Sequence, residues 1–459
     1  MDKTVPIADP VDVPDTVDDP GETGPTVRRD VVCVLIAAGL VATAALVPLV
    51  LVPSLKGTIF AQAPPLFAHW LPHLGIGTAP AILIVIAVVA WLPSNAHTLG
   101  WNRLLLVGWA TAAAWTVSLA LVDGWQRGVA GRLERPDEYL SAVPGVRAIG
   151  PMLHDFARRI PDYQPDSWTT HVSGHPPGAL LTFVWLDRIG LGGGGWAAAW
   201  VVLVGTSAVA AVLITVRRIG SEEWARRCLP FLVLFPGWVW VGVSGDGYFM
   251  GVAAWGVALL AIAATTRHTV SILTALAAGV LFGFAIFLNY GLVLIGAVAL
   301  AVLIAARTAR PLPVAVIGAL AVVAAFRLAG FWWFDGYHAV VVRYYQGIAS
   351  ERPFAYWGWA NLAAVAIAVG PATIAGLGRL GQRDIWRHGP ALLVIGGLAA
   401  MLAADLSALS KAETERIWLP FSLWLIVATG LLPRRHVRVW LVAQAAVALA
   451  VNHLLLTYW

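Results

Sequence analysis

Residues 31–53 read VVCVLIAAGLVATAALVPLVLVP, from Val31 to Pro53, with no charged side chain among them. A helix rises about 1.5 Å per residue, so this stretch is long enough to cross the roughly 30 Å of hydrocarbon in a bilayer. Lipid offers the backbone no hydrogen-bond partners, which leaves only helices and closed barrels as spanning structures. A barrel strand would alternate apolar and polar residues, whereas this segment is apolar on every face. The segment is therefore read as a transmembrane helix.

Similar blocks recur along the chain. Of 459 residues, 59% are hydrophobic and 12% charged, against roughly 25% charged in an ordinary soluble domain. The mean hydropathy is +0.77. So little charge cannot clothe a water-facing surface. The expected fold is all-α, a polytopic protein of the plasma membrane. Its thirteen expected transmembrane helices cover 31–53, 79–93, 104–122, 196–216, 228–243, 249–266, 269–288, 291–306, 312–331, 358–376, 389–406, 417–432 and 437–457.

Orientation follows from the arginines, which favour the cytoplasmic side of spans. With Arg28 and Arg29 inside, the chain reaches its longest polar stretch, Asp123 to His175, on the external face. The following segment, PPGALLTFVWLDRIGLGGGG (176–195), has too few apolar residues before Asp187 to span. Read as an interfacial helix, it leaves Arg217, Arg218, Arg226, Arg227, Arg307, Arg310, Arg379, Arg383, Arg387, Arg434 and Arg435 cytoplasmic. The expected organisation is a disordered cytoplasmic tail over 1–30 and one transmembrane domain over 31–459, with an external loop and interfacial helix at 123–195. No cleaved signal peptide is visible, and the C-terminus is expected outside.

The charge of +5 and the pI near 9.4 raise nucleic acid as a partner. The arginines sit at the ends of apolar blocks, however, as topology anchors, so no nucleic-acid partner is expected. Cys33 and Cys228 lie inside apolar segments and show neither disulfide nor metal spacing.

In this topology the remaining polar residues gather on the outer side. Asp123 ends an apolar helix in ALVDGW, where partial desolvation would suit a carboxylate to take a proton from an acceptor hydroxyl. The plainer reading is a helix stop before Gly124. Asp137 and Glu138 in ERPDEYL either cap a short helix or hold a sugar hydroxyl or a divalent cation such as Mg or Mn, and nothing in the spacing fixes a metal. His171 and His175 in HVSGHPPG are four apart, but Gly174, Pro176 and Pro177 disfavour the helix that would pair them on a metal. They suit a phosphate or hydroxyl near a helix start instead. Asp246, Asn289, Tyr290, Arg343 and Arg352 lie in later outer turns. Lysine occurs only at positions 3, 56 and 411, and KAETER from Lys411 to Arg416 offers cations for a lipid phosphate with Glu413 and Glu415 to orient them. A solvated turn with internal ion pairs is the alternative. The tryptophans read either as interfacial anchors or, at the outer mouth around Trp332, Trp333, Trp357 and Trp359, as faces for sugars and isoprenoids.

The ordered set of HVSGHPPG, SGDGYF, FLNYG, RPFAYWGWANLA and KAETERIWLPF resembles the glycosyltransferase C superfamily. It is similar, more narrowly, to integral membrane glycosyltransferases of the envelope in high-GC Gram-positive bacteria, over roughly residues 104–459. The resemblance implies a polyprenyl-phosphate-linked sugar donor of the arabinofuranose or mannose class, an envelope glycan or glycolipid acceptor, and an external acidic base. Asp123 matches that base, Asp246 matches the acidic residue after the next outward span, and Lys411, Glu413 and Arg416 fall where the lipid phosphate is expected. Two spans precede the matching helix and no paired-Asp motif follows it, which brings Asp137 or Glu138 into line for the same role. A transporter or flippase of lipid-linked precursors is the competing expectation; it calls for inverted repeats and broken helices, neither of which the sequence displays.

Overall fold

Uncharged apolar runs satisfy their own backbone as helices, and a computed structural model of the chain, which describes residues 25–381, 385 and 388–457, is built from them. Among the described residues, nine helices are long and apolar enough to cross a membrane: Val27–Leu51, Thr78–Asn95, Trp101–Ala120, Gly194–Ile219, Gly245–Thr265, His268–Leu288, Phe354–Gly381, Gly389–Leu406 and Arg434–Leu454. A tenth is Leu312–Leu328 if joined to Trp333–Gln346, which leaves it at 75°. Gly330 sits at that bend with φ of 104°, a left-handed value that a Cβ would resist.

Against the thirteen expected spans, the described residues thus hold nine or ten helices of full spanning length. The other three expected spans are helical but short or interrupted: Glu222–Val233 stops before a separate turn at Trp238–Val241, and Tyr290–Ala305 and Leu419–Leu431 fall below spanning length. Prolines account for part of this, Pro230 and Pro236 flanking the first interruption and Pro420 opening the last segment. The tail boundary also moves. Residues 25–30, expected to end an unstructured tail, are the first turns of the N-terminal helix. Residues 1–24 and the expected anchors Arg383 and Arg387 lie outside the described residues.

The final expected span is shorter than its apolar run, because Leu455–Thr457 leaves the helix as strand β2 and pairs antiparallel with β1, Ala68–Trp70, in the register Ala68 to Thr457. The segment expected to be interfacial is the helix Pro177–Arg188. It packs inward, with residues 177–184 and Leu186 buried and Trp185, Asp187 and Arg188 exposed. Several tryptophans are core rather than anchor: Trp115, Trp238, Trp240, Trp357, Trp418 and Trp424 are almost fully buried.

One helix contains a break that the sequence reading missed. Within Phe354–Gly378 the backbone leaves helical geometry at Gly370, φ 77°, just before Pro371. The fully buried Gln444 mends it: Nε2 donates to the Val369 carbonyl at 2.7 Å and Oε1 accepts from the Ala372 N–H at 3.0 Å. At the Arg379 end of the same helix, the guanidinium forks onto the Asp30 carboxylate at 2.7–3.3 Å, with both residues no more than 2% exposed.

Candidate active site

The long loop after Trp101–Ala120 folds into short helical turns, and its residues meet the starts of Thr170–Gly174 and Gly245–Thr265 and the turn before Leu419. Asp246 lies in the first turn of Gly245–Thr265, where the helix dipole favours a carboxylate. It is 2% exposed; Oδ2 takes a 2.8 Å ion pair from Arg416, and Oδ1 is buried without a partner. Arg416 also reaches Glu413 at 3.3 Å, and Glu413 in turn pairs with Arg352 at 3.1 Å. Burial alone would lower the Arg416 guanidinium, but the charges of Asp246, Glu413 and Glu138 outweigh it and hold it up.

Glu138 stands in this group with Oε2 buried and unpartnered. Desolvation pushes its carboxyl up to about 8, against the pull of Arg416 and with the support of Asp137 and Asp246. Its Oε1 lies 3.6 Å from His171 Nε2, and Asp137 lies 3.9 Å from the same nitrogen. Burial, then the charge of Arg416, drives His171 well below the usual histidine range, so the ring is neutral.

The expectation that HVSGHPPG would not form a helix is corrected. Thr170–Gly174 makes one turn and ends where His175, preceding Pro176, goes extended. His175 Nδ1 faces the His171 carbonyl at 2.8 Å and the Tyr139 hydroxyl at 3.0 Å. A carbonyl only accepts, so Nδ1 carries the proton, and in the neutral ring Nε2 keeps a lone pair. Burial lowers His175 despite the nearby Asp246 charge. Among the described residues no group of three or more His, Cys, Asp or Glu is placed to hold a metal ion.

Asp123 is elsewhere engaged. Its carboxylate, 7% exposed, accepts from His73 Nε2 at 2.9 Å, from Arg127 at 3.1 Å and from Arg132 at 3.2 Å. His73 Nδ1 lies 2.7 Å from the Leu71 carbonyl. Arg132 continues to the Thr457 carbonyl at 2.9 Å, which ties β2 to the clamp. Three side chains on one carboxylate fasten the start of the loop to the β1 side of the molecule.

Arg127, Arg132 and Arg135, with His69, Gly131, Leu456 and Thr457, line a cavity of about 310 Å³. Arg132 is 94% buried by its 6% exposure, and its Nε has no partner. The charge of Arg135 acts on Glu138, which links this cavity to the carboxyl group. The cations expected to meet a phosphate are used otherwise: Lys411 Nζ donates to the Ala349 carbonyl at 2.9 Å, and Arg416 is drawn to Asp246. Arg127, Arg132, Arg135 and Tyr139, which the sequence reading did not single out, stand in or beside this cluster. Their signal was present, since arginines in a loop placed outside run against the charge rule.

Other expected residues hold separate posts. Glu415 accepts from the Phe67 N–H at 3.2 Å, and desolvation raises it to about 7. Arg343 pairs with Asp162 at 2.5 Å. Asn289 caps its own turn by accepting from the Gly291 N–H at 2.7 Å, and Tyr290 is buried against Trp333 and Tyr337.

This arrangement of long apolar helices around an acidic and cationic loop cluster is similar in fold to solved polytopic membrane enzymes. The apo oligosaccharyltransferase of Archaeoglobus fulgidus superposes with a TM-score of 0.50 at 12% identity, over 76% of this chain and 56% of that one. Apo ArnT of Cupriavidus metallidurans gives 0.46 at 17% identity, over 71% and 59%. The chain therefore spans less than two thirds of each of these structures. No family model and no curated protein matches it.

Proposed function

We propose that the protein is a membrane glycosyltransferase that moves a sugar of the arabinofuranose or mannose class from a polyprenyl-phosphate donor to a hydroxyl of an envelope glycan or glycolipid on the outer face. The observation that carries this reading is the buried, half-partnered Glu138 carboxyl, coupled in charge to an arginine-lined cavity. The glycosyltransferase C-like fold supports the reading, and the chemistry follows from the residues.

Glu138 takes the proton of the acceptor hydroxyl as that oxygen bonds to the anomeric carbon. The carbon–oxygen bond to phosphate breaks, its electron pair leaves with the phosphate, and the configuration inverts. Arg127, Arg132 and Arg135 neutralise the departing charge, work that guanidinium forks do well. A base near 8 is matched to catalysis around neutral pH. Asp246 and Arg416 hold the acceptor and orient Glu138, and His175 Nε2 accepts from a neighbouring hydroxyl.

The test is transfer of radiolabelled sugar from a synthetic polyprenyl-phosphate donor by purified protein in proteoliposomes. Label should reach the acceptor with release of lipid phosphate. Movement of intact donor across the bilayer with no covalent change would replace this reading with the transport one. That alternative expects open polar groups at a broken helix, and Gln444 closes both groups at Gly370.

A further inference from the structure

The turn that delivers Arg416 to Asp246 is built in a conformation that few sequences adopt unaided. Ala408, Ala412 and Glu413 have φ of 57°, 76° and 64°. Each is a non-glycine residue in the left-handed region, at a cost of roughly 1–2 kcal/mol apiece. None of the three is stabilised by the local hydrogen bonding that lets Asn or Asp visit this region. Something outside the turn has to hold it.

That group is Asn361, 1% exposed and on a different segment of the chain, in the helix Phe354–Gly378. Its Nδ2 donates to Asp405 Oδ1 at 2.8 Å and to the Ser410 carbonyl at 2.8 Å. Its Oδ1 accepts from the Ala412 N–H at 3.3 Å and lies 3.5 Å from Thr414 Oγ1, which also donates to the Asn361 carbonyl at 3.3 Å. Every hydrogen-bonding position of one amide is thus spent on residues 405–414. Aspartate has no donors for Asp405 and Ser410, and leucine has neither donors nor an acceptor. Directly after the moulded turn come the groups that face the site: Glu413 reaches Arg352 and Arg416, and Arg416 reaches Asp246.

We propose that Asn361 is the positioning residue of the site: it moulds residues 405–414 so that Glu413 and Arg416 are presented to Asp246. It touches no reacting atom, and its effect on turnover, which rests on the transferase reading, is exerted through Arg416.

Thiol labelling separates the two ideas. In a background with Cys33 and Cys228 replaced by alanine, Ala412→Cys places a thiol at a position that is 2% exposed. A maleimide should label it slowly, and Asn361→Leu should raise the rate by about tenfold or more. Because that change strands the buried Asp405 carboxylate, the pair Asn361→Leu with Asp405→Leu is the second variant; it removes the stranded carboxylate and leaves the Ser410 carbonyl and Ala412 N–H to open toward water with the turn. In this pair the thiol should again be exposed, while kcat falls about 100-fold, the scale expected of a misplaced group, with KM and melting temperature near their starting values. A thiol that stays shielded in both variants overturns the proposal. If the thiol is exposed but the parent protein transfers no sugar, the moulding role stands and the transferase reading falls.

Discussion

The helix Phe354–Gly381 passes two sets of buried polar groups, and they are finished differently. Toward one end, Gln444 satisfies both backbone groups opened at Gly370, and Arg379 forks onto Asp30. Toward the other, the loop cluster leaves Glu138 Oε2, Asp246 Oδ1, Glu415 Oε2 and two nitrogens of Arg352 buried with no hydrogen-bond partner among the described residues. An unsatisfied buried polar atom costs on the order of 1–3 kcal/mol. The first set gives up nothing and reads as architecture. The second bears that cost repeatedly, which is the mark of a place that waits for something else to bind.

If the contrast is right, changes in the two sets should separate cleanly into lost turnover and lost stability. The largest effect is expected at Glu138. Glu138→Gln should cut transfer between about 100- and 10,000-fold, the range for removing a general base, and leave the unfolding midpoint in detergent unchanged or higher. A destabilised protein with normal turnover would reverse the assignment of the two sets.

Next, Arg379→Ala should lower unfolding free energy by about 3–5 kcal/mol, because it strands the Asp30 carboxylate in the interior. Turnover per folded molecule should hold. Gln444→Leu should follow at about 1–3 kcal/mol, for the Val369 carbonyl and Ala372 N–H then have no partner. Chemical unfolding in bicelles reads both, and a loss of turnover without a loss of stability in either would blur the contrast.

A pH series sharpens it further. Burial raises the Glu138 carboxyl from 4.5 to about 8, so the folded state keeps a proton that the unfolded chain has released. Its contribution to stability is full below about 4.5, declines as pH climbs toward about 8, and is level beyond. Turnover should run the opposite way, rising through about pH 8 as the base form appears. Glu138→Gln should remove both trends, and a stability profile unmoved by that variant would show that the carboxyl is not held neutral. The smallest effect belongs to the exposed Arg158–Asp166 pair at 2.6 Å: Arg158→Ala should leave the melting temperature where it was.

Much of the fold was legible because a bilayer leaves the backbone so few options. Apolar length and arginine-marked ends located the long helices, and Pro176 and Pro177 marked the start of the helix Pro177–Arg188. Short segments such as Leu419–Leu431 misled, since their apolar character serves a buried core as readily as lipid. Within the site, Asp246 and Glu138 stood out from their neighbours as acids at helix ends. Asp123 stood out equally; two of its partners, Arg127 and Arg132, are close in the chain, while His73 lies 50 positions earlier and meets it through the fold. Arg416 and Asp246 are likewise joined across several helices. Local pattern names the acids, while long-range packing decides which one is neutralised and which is left poised.

The 75° bend between Leu312–Leu328 and Trp333–Gln346 has a consequence beyond shape. The second limb carries the aromatic side chains Trp333, Phe334 and Tyr345, and its far end is tied to the loops by Arg343 to Asp162 and by Tyr344, whose hydroxyl accepts from the Lys411 N–H at 3.0 Å. A limb turned so far from the helix before it, with Phe334 and Tyr345 exposed, is expected where water gives way to acyl chains, while the upright helices keep a fixed length. Thickening or thinning the lipid by a few ångströms therefore shifts one against the other through hydrophobic mismatch. Acyl-chain length is therefore expected to be felt at the Lys411 turn, to which the limb is tied by Tyr344.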